Sequence, residues 1–469
     1  MSSSAARVTV PSARGTVSWA LVELARNPYV SLIFMFVFAP YFAATVVGDA
    51  VRGQKLWSQA YTFAGLGVGI CAPLLGAVVD RIGARKPWVL ASVLIMAVGC
   101  WLLWFAYPGA VRGLPLWAII TVVMALMICF ECGAVAHNAM LPDLSNAETV
   151  GHLSGLGLTL GAVGSLLALV GVLFGIVLPA THEVNWSFLP EHPPFGLDAS
   201  AFEHARIVGP LCAVWMILFI IPFLLWTPDV AATDVKLSAA LRGGWRQLIE
   251  TLAHLRDVSN IGRFLLARML YNDGTLGVQA YCAIYAAGVF GWSIGAIMVF
   301  ALILTACCVL GGMLGGALDA SVGSRRAILL TLGCTCLAFL VSLSVTPTQI
   351  FFMTYDAAAR GPLWAFPYFR TLPEVIYVVT FMVLAVTITA LIANSRALLA
   401  RLAPAPLVSQ FFGLYALSGT ATAFLGHGIV AVGTGVTGTQ RGGIACLVLL
   451  LVLGWLLMLR VREDAHGSR

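Results

Sequence analysis

An all-α integral membrane protein, with twelve transmembrane helices in two pseudo-symmetric six-helix bundles, is the fold that three observations predict. Of 469 residues, 60% are hydrophobic and 10% are charged, and the mean hydropathy is +0.95. A soluble domain carries about 25% charged residues, so this chain has too few to cover a water-facing surface. Its apolar residues gather into runs that match the roughly 20 residues a helix needs to cross a bilayer. Those runs divide six and six around a polar segment.

Read with membrane-length windows, the first bundle is expected over residues 28–228, with spans near 28–48, 57–79, 87–107, 115–140, 153–178 and 206–227. The second is expected over 263–460, with spans near 263–289, 294–318, 326–346, 373–394, 410–431 and 442–460. Residues 1–27 read as a cytoplasmic amino-terminal segment and 461–469 as a cytoplasmic tail. The opening stretch has charges but no apolar core followed by a small-residue cleavage site, so no secretory leader is expected. Between the bundles, residues 229–262 are polar, and Leu248, Leu252 and Leu255 recur at helical spacing beside Arg246 and Arg256. That pattern predicts a linker helix lying on the membrane surface.

The formal net charge is +6, and its distribution decides what it means. With the amino terminus inside, 18 of the 26 Lys and Arg residues fall on the cytoplasmic side, 7 fall outside and Arg268 lies within a span. This asymmetry follows the positive-inside rule. The charge therefore reports topology, and no nucleic-acid partner is expected. Anionic lipid at the inner surface is the partner these cations suit.

The 11 cysteines all lie in apolar spans, where thiols behave as small packing groups. Cys129 and Cys132 have CxxC spacing without a second pair, and His182, His192 and His204 lack tight ligand spacing. No metal site or cofactor is expected. The pattern GxxxxGK[ST] is absent, which argues against ATP drive. No nucleophile, base and orienter set appears, so the chain is not read as an enzyme. The two long outer loops, residues 179–205 and 347–372, read either as a solvated cap or as a substrate entrance.

An internal repeat is visible in two inner loops, GAVVDRIGARKPWVL and GGALDASVGSRRAILL. Each runs Gly, apolar residues, Asp, a Gly three or four positions on, then a basic pair: Gly76, Asp80, Gly83, Arg85 and Lys86, then Gly316, Asp319, Gly323, Arg325 and Arg326. The first glycines are 240 residues apart, which makes the halves parallel repeats. The small residue permits a tight approach of helices, the aspartate can accept from an Arg or a helix amino terminus, and the basic pair can anchor at anionic lipid.

That loop, present in both halves, resembles the signature of the major facilitator superfamily. More narrowly, WALVELARNPYVSLIFMFVFAPYF, HNAMLPDLSNAETVGHLSGLGLTLGAVGSL, RMLYNDGTLGVQAYCAIYAAGVFGWS and SRALLARLAPAPLVSQFFGLYALSGTATAFLG are similar to the vacuole effluxer-like branch. The resemblance implies a carrier whose first, fourth, seventh and tenth spans line a central cavity, and a kinship with amino-acid effluxers of fungal vacuoles. Three positions depart from the branch. Glu23 stands for a common Asp, Thr420 for a common Lys, and His427 follows Gly where Pro is common.

Charges inside spans are the candidate machinery, since each costs about 2.5–3.5 kcal/mol at the centre of a membrane helix. Asp273 lies ten residues into the seventh span, roughly 15 Å deep and thus near the middle of the bilayer. A carboxylate there suits proton coupling, or it is held as packing glue by Asn272, Tyr271 or a neighbouring helix. Gly274 and Gly277 beyond it are read as loosening the helix. Arg268 and Glu131 are expected at comparable depth in opposite halves, and either pair across the cytoplasmic side of the cavity or pair within their own halves. Asn138, on nearly the face of Glu131, reads as a substrate contact or a helix cap. Asn394, Ser395 and Arg396 read as packing at the end of the tenth span.

The function this predicts is secondary active transport of a small polar solute, an amino acid or related metabolite, coupled to a proton or cation by alternating access, with efflux preferred. The alternatives are a cation-coupled importer of glycosides or peptides, since DRIGARKPWVL also resembles the sugar:cation symporter loop, and a non-transporting receptor or scaffold. The expected setting is a bacterial inner membrane, with both termini cytoplasmic and the protein monomeric.

Overall fold

The structure is a computed structural model, and it describes residues 12–145, 150–184, 186–231, 233, 259–402, 415, 419 and 422–462. Most of the expected linker helix lies outside the described residues. Ten helices are long and apolar enough to cross a membrane. Helix α1 is Ala13–Pro28, carried on by π-helical turns at Tyr29–Phe36 and Phe42–Val46. The first half continues with α2 (Ala50–Ile82), α3 (Lys86–Leu102), α4 (Leu116–Asn138), α5 (Val150–Val172, extended to Thr181) and α6 (Val208–Trp226). The second half supplies α7 (Ser259–Val289), α8 (Ile294–Val322), α9 (Ser324–Leu343), α10 (Leu372–Leu402), α11 (Ala423–Thr437) and α12 (Leu447–Leu459). Helices α7 and α11 fill the seventh and eleventh places outside the ten, the first because charges interrupt its apolar run and the second because its described part is short.

The packing repeats from half to half. In the first, α1 packs on α6, α2 on α4, α3 on α4, and α3 on α6; in the second the same pairs recur as α7 on α12, α8 on α10, α9 on α10, and α9 on α12. The halves meet mainly where α2 crosses α11, with α5 against α8. At that crossing Gly65 is required: a Cβ there would sit 2.8 Å from the Phe424 backbone nitrogen.

Several expectations need correction. The first helix begins at Ala13, so residues 13–27 are not a loose cytoplasmic segment. Glu23, Arg26 and Asn27 interrupted the apolar run, yet they are satisfied by one another inside the fold. The tenth helix runs on to Leu402, so Asn394 and Ser395 are inside it. Gly274 and Gly277 do not loosen α7, which is continuous; a Cβ at either would press on Leu451 or Leu447 of α12. The glycines are for close packing of α7 on α12.

One end of the molecule carries the long loops, and the other carries the Arg-rich turns; they are called the loop end and the basic end. The loop end is not a plain solvated cap. Residues 349–354 form a two-stranded hairpin, and Trp186 stacks on Phe188 at 5.5 Å and on Phe366 of the other half at 6.3 Å.

Candidate functional site

Asp273 sits midway along α7 and is 2% exposed. Neither carboxylate oxygen has a hydrogen-bond partner among the described residues. The Thr422 hydroxyl acts on the carboxylate without meeting hydrogen-bond geometry and has no partner of its own among the described residues. The backbone of α11 comes close because residue 426 is glycine: a Cβ there would lie 2.7 Å from the Asp273 carbonyl. Neither suggested neighbour holds the carboxylate. The Tyr271 hydroxyl pairs with Ser395 Oγ of α10 at 2.7 Å, and the half-buried Asn272 directs no hydrogen bond to Asp273 among the described residues.

Arg268 lies five residues earlier on α7 and is 8% exposed. Its Nη1 donates to the Tyr415 carbonyl at 2.8 Å, and its guanidinium lies 3.4 Å from the centroid of that ring. It also acts electrostatically on Asp273. Arg268 and Asp273 thus both face the eleventh segment within their own half.

The first half holds a second charged cluster, built where α1 crosses α4. Arg26 Nη2 pairs with Glu23 Oε1 at 3.3 Å, and Arg26 Nη1 donates to the Phe130 carbonyl at 3.1 Å. Asn27 Nδ2 donates to Glu23 Oε2 at 2.9 Å. His137 Nδ1 lies 3.2 Å from Glu23 Oε1, its Nε2 lies 2.9 Å from the Trp19 carbonyl, and its ring stacks on Trp19 at 4.3 Å. Glu131, one residue past Phe130, feels Arg26 and Glu23 but forms no ion pair among the described residues. Its side chain is half-buried. Glu131 and Arg268 are not paired in this conformation. Asn138 closes α4 and is exposed.

The repeated inner loops share a structural role. Gly83 and Gly323 both have positive φ, +88° and +82°, and both close a helix, donating to Val79 O and Asp319 O. After the first, Lys86 Nζ donates to the Leu224 carbonyl at 3.0 Å, at the end of α6. After the second, Arg325 Nη2 donates to the Leu459 carbonyl at 2.9 Å, at the end of α12. The basic pair therefore ties each half to its own last helix, where carbonyls lack intrahelical partners, as well as facing the surface. Arg85 also pairs with Asp143, and Asp229 accepts from its backbone nitrogen at 3.0 Å. Asp319 accepts from Ser324 and from Arg401, the latter at 2.8 Å. The Asp80 side chain lies outside the described residues. Gly76 makes only ordinary contact with Val135, and Gly316 faces open space, so the tight turns fall at Gly83 and Gly323.

One functional candidate had no role in the sequence reading. His427 of α11, singled out there only as a departure, lies at the seam between halves. Its Nδ1 is 2.7 Å from the Tyr281 hydroxyl of α7, and its ring is 5.2 Å from that of Tyr61 on α2. No pattern along one helix could place a group that depends on three.

Paired six-helix halves, charges kept inside the apolar spans and a polar seam between the halves define a multi-pass membrane transporter of the major facilitator class, without catalytic chemistry. The fold is similar to that of a D-xylose-proton symporter, with TM-score 0.66 at 11% identity over 97% of this chain and 98% of that one. A POT family transporter in complex with 5-aminolevulinic acid gives TM-score 0.63 at 13% identity, over 96% and 95%.

The chain belongs to the family described as "Vacuole effluxer Atg22 like", which matches residues 61–467. Autophagy-related protein 22 of Coccidioides immitis (strain RS) is 23% identical over 68% of this chain, which spans only about half, 49%, of that relative. An uncharacterized MFS-type transporter of Bacillus subtilis (strain 168), YxiO, is 20% identical over 95% of this chain and 94% of its own length.

Proposed function

We propose that this transporter is a proton-coupled carrier that exports a small polar solute, an amino acid or related metabolite, across a bacterial plasma membrane. One observation carries the reading: Asp273 is buried midway along α7, and neither carboxylate oxygen has a hydrogen-bond partner among the described residues. A buried charge that lacks a partner is strongly unfavourable, so a proton is the natural counter-charge in this conformation. Intramembrane ionisable groups of this kind mark ion and substrate paths. The near-full-length bacterial relative supports the setting.

The seal between the halves supports alternating access. Gln54 Nε2 donates to Thr434 Oγ1 and to the Gln440 carbonyl, both at 3.0 Å. Glu183 Oε2 accepts from Tyr368 at 2.6 Å and from Ser293 at 3.1 Å. Together with Gln440 to Ala50, these hydrogen bonds join the halves at the loop end. With the basic end cytoplasmic, as the charge asymmetry favours, this is a state closed to the outside.

Glu131 and Arg268 then belong to the solute path, Glu131 as the carboxylate open to a solute's ammonium group and Arg268 as its opposite number when the cytoplasmic side closes. Asn272 and Asn138 are the neutral polar contacts of the same path. The test is flux in proteoliposomes loaded with a radiolabelled mixture of the protein amino acids. An imposed proton gradient should drive their release, and Asp273→Asn should abolish that drive. A sodium gradient that works where the proton gradient fails would replace proton coupling by cation coupling.

A further inference from the structure

We propose that His427 is a second proton-carrying station, serving the loop end of the pathway as Asp273 serves its middle. The inference rests on the proton-coupled reading above and adds a residue to it.

Both groups lie on the same pair of helices. Asp273 faces Thr422 across the α7–α11 contact, and Tyr281 meets His427 across the same contact one step further on. From 273 to 281 is eight residues, about 12 Å along a helix, and the direction is toward the loop end. His427 therefore stands between the central carboxylate and the seal that Gln54 makes with Thr434.

The surroundings of the ring suit a station that is opened and closed by movement of the halves. His427 is 5% exposed. From its own half it meets Tyr281, at 2.7 Å from hydroxyl to Nδ1. From the other half it meets Tyr61 of α2 and Phe34 of α1, at ring separations of 5.2 and 6.2 Å. Behind Tyr61, the Tyr29 hydroxyl lies 3.2 Å from the Tyr61 hydroxyl. No charged side chain of a described residue acts on the ring. The titratable groups around it are thus the three tyrosines, which are hydroxyl donors or acceptors and supply no compensating charge.

In the present state the seam is closed and the imidazole is packed against aromatic rings. Rocking the halves apart at the loop end parts Tyr61 and Phe34 from His427, because they belong to opposite halves. The ring then meets the outer solution and takes a proton. Reclosure returns the imidazolium to an apolar seam without a counter-charge, which favours passing the proton on. The net change is one proton lost by the imidazolium and gained by the Asp273 carboxylate, relayed by water admitted between them as the halves move, leaving a neutral imidazole and a neutral carboxylic acid. A purely structural histidine would need only its ring and its Tyr281 bond.

The experiment uses the full chain in lipid. Infrared difference spectra between high and low pH are recorded for the unaltered protein, His427→Gln and Asp273→Asn. Gln keeps an acceptor for Tyr281 but cannot carry the proton. An imidazole protonation band that vanishes in His427→Gln and shifts in Asp273→Asn is the expected result. Absence of any band assignable to His427 overturns the proposal. Because this readout needs no solute, it stands even if the labelled amino acids are not carried, an outcome that would count against the proposed substrate only.

Where flux is measurable, proton-driven release should fall about tenfold or more in His427→Gln while solute exchange without a gradient stays within about twofold. Equal losses in both would mark a packing role and overturn the proposal. Tyr281→Phe, which removes the hydroxyl and keeps the ring, provides the second variant should His427→Gln not fold. The band should then shift, and an unshifted band would overturn the proposal.

Discussion

Two carboxylates close together in the first half, Glu23 and Glu131, differ in what surrounds them, and the proposed function gives them different roles. Glu23 is enclosed by Arg26, Asn27 and His137. Glu131, close by, has no such shell among the described residues. Removing one partner of a buried pair costs about 3–5 kcal/mol. Arg26→Met is therefore expected to lower the thermal midpoint of the detergent-purified protein clearly, whereas Glu131→Gln should leave the midpoint nearly unchanged and still stop solute flux. The reverse order, with Glu131→Gln unstable and Arg26→Met active, would make Glu131 the structural member. A charge swap of Glu131 and Arg268 extends the comparison: recovery of flux lost by the single changes would show that the two meet elsewhere in the cycle. Outside the membrane, Tyr368 shows the same logic for a hydroxyl. Burial raises its pKa and the hydrogen bond to the Glu183 carboxylate raises it further, so Tyr368 remains a donor at neutral pH and the contact does not titrate from its side.

Individual helices owe their placement to small residues as much as to apolar ones. In α5, Gly161 and Gly164 leave room for Asn27 and Leu24 of α1, and in α8, Gly311 and Gly315 leave room for α10. Overpacking of such a contact costs about 1–3 kcal/mol. Gly277→Leu, which would force a side chain into Leu447, should therefore reduce stability by that amount in a denaturation series. A neutral or stabilising result would mean that α7 and α12 are not in firm contact there. Most of this architecture was legible beforehand, because spans and their six-and-six division follow from apolar runs and a repeated loop. What was not legible has a common cause. The start of α1 was hidden by Glu23, Arg26 and Asn27, whose partner His137 is over a hundred residues away. The role of Gly274 and Gly277 reversed for the same reason, since a glycine's effect depends on the neighbour that fills its space. The site followed this division too: the position of Asp273 along its helix was readable, but its lack of a hydrogen-bond partner among the described residues, and the seam around His427, exist only in three dimensions.

Across the whole molecule, the two halves repeat one packing plan and are held together at the loop end by a small set of polar contacts. Glu183 reaches Tyr368 and Ser293, and Gln54 reaches Thr434 and Gln440. Each such bond contributes about 0.5–1.5 kcal/mol, enough together to set which end is closed. Glu183→Gln combined with Gln54→Ala should shift the population toward the state open at the loop end, read as a longer spin-label distance between the two long loops. An unchanged distance distribution would place the closing force elsewhere. On the proposed reading, the same rocking brings solute and proton into the spans in turn, with Asp273 as the proton-carrying group. The most direct measurement is therefore proton-driven release of labelled amino acids from proteoliposomes, compared between the unaltered protein and Asp273→Asn. Release under a proton gradient that is lost in Asp273→Asn, with gradient-free exchange retained, is the predicted result; full gradient-driven release by Asp273→Asn would contradict it.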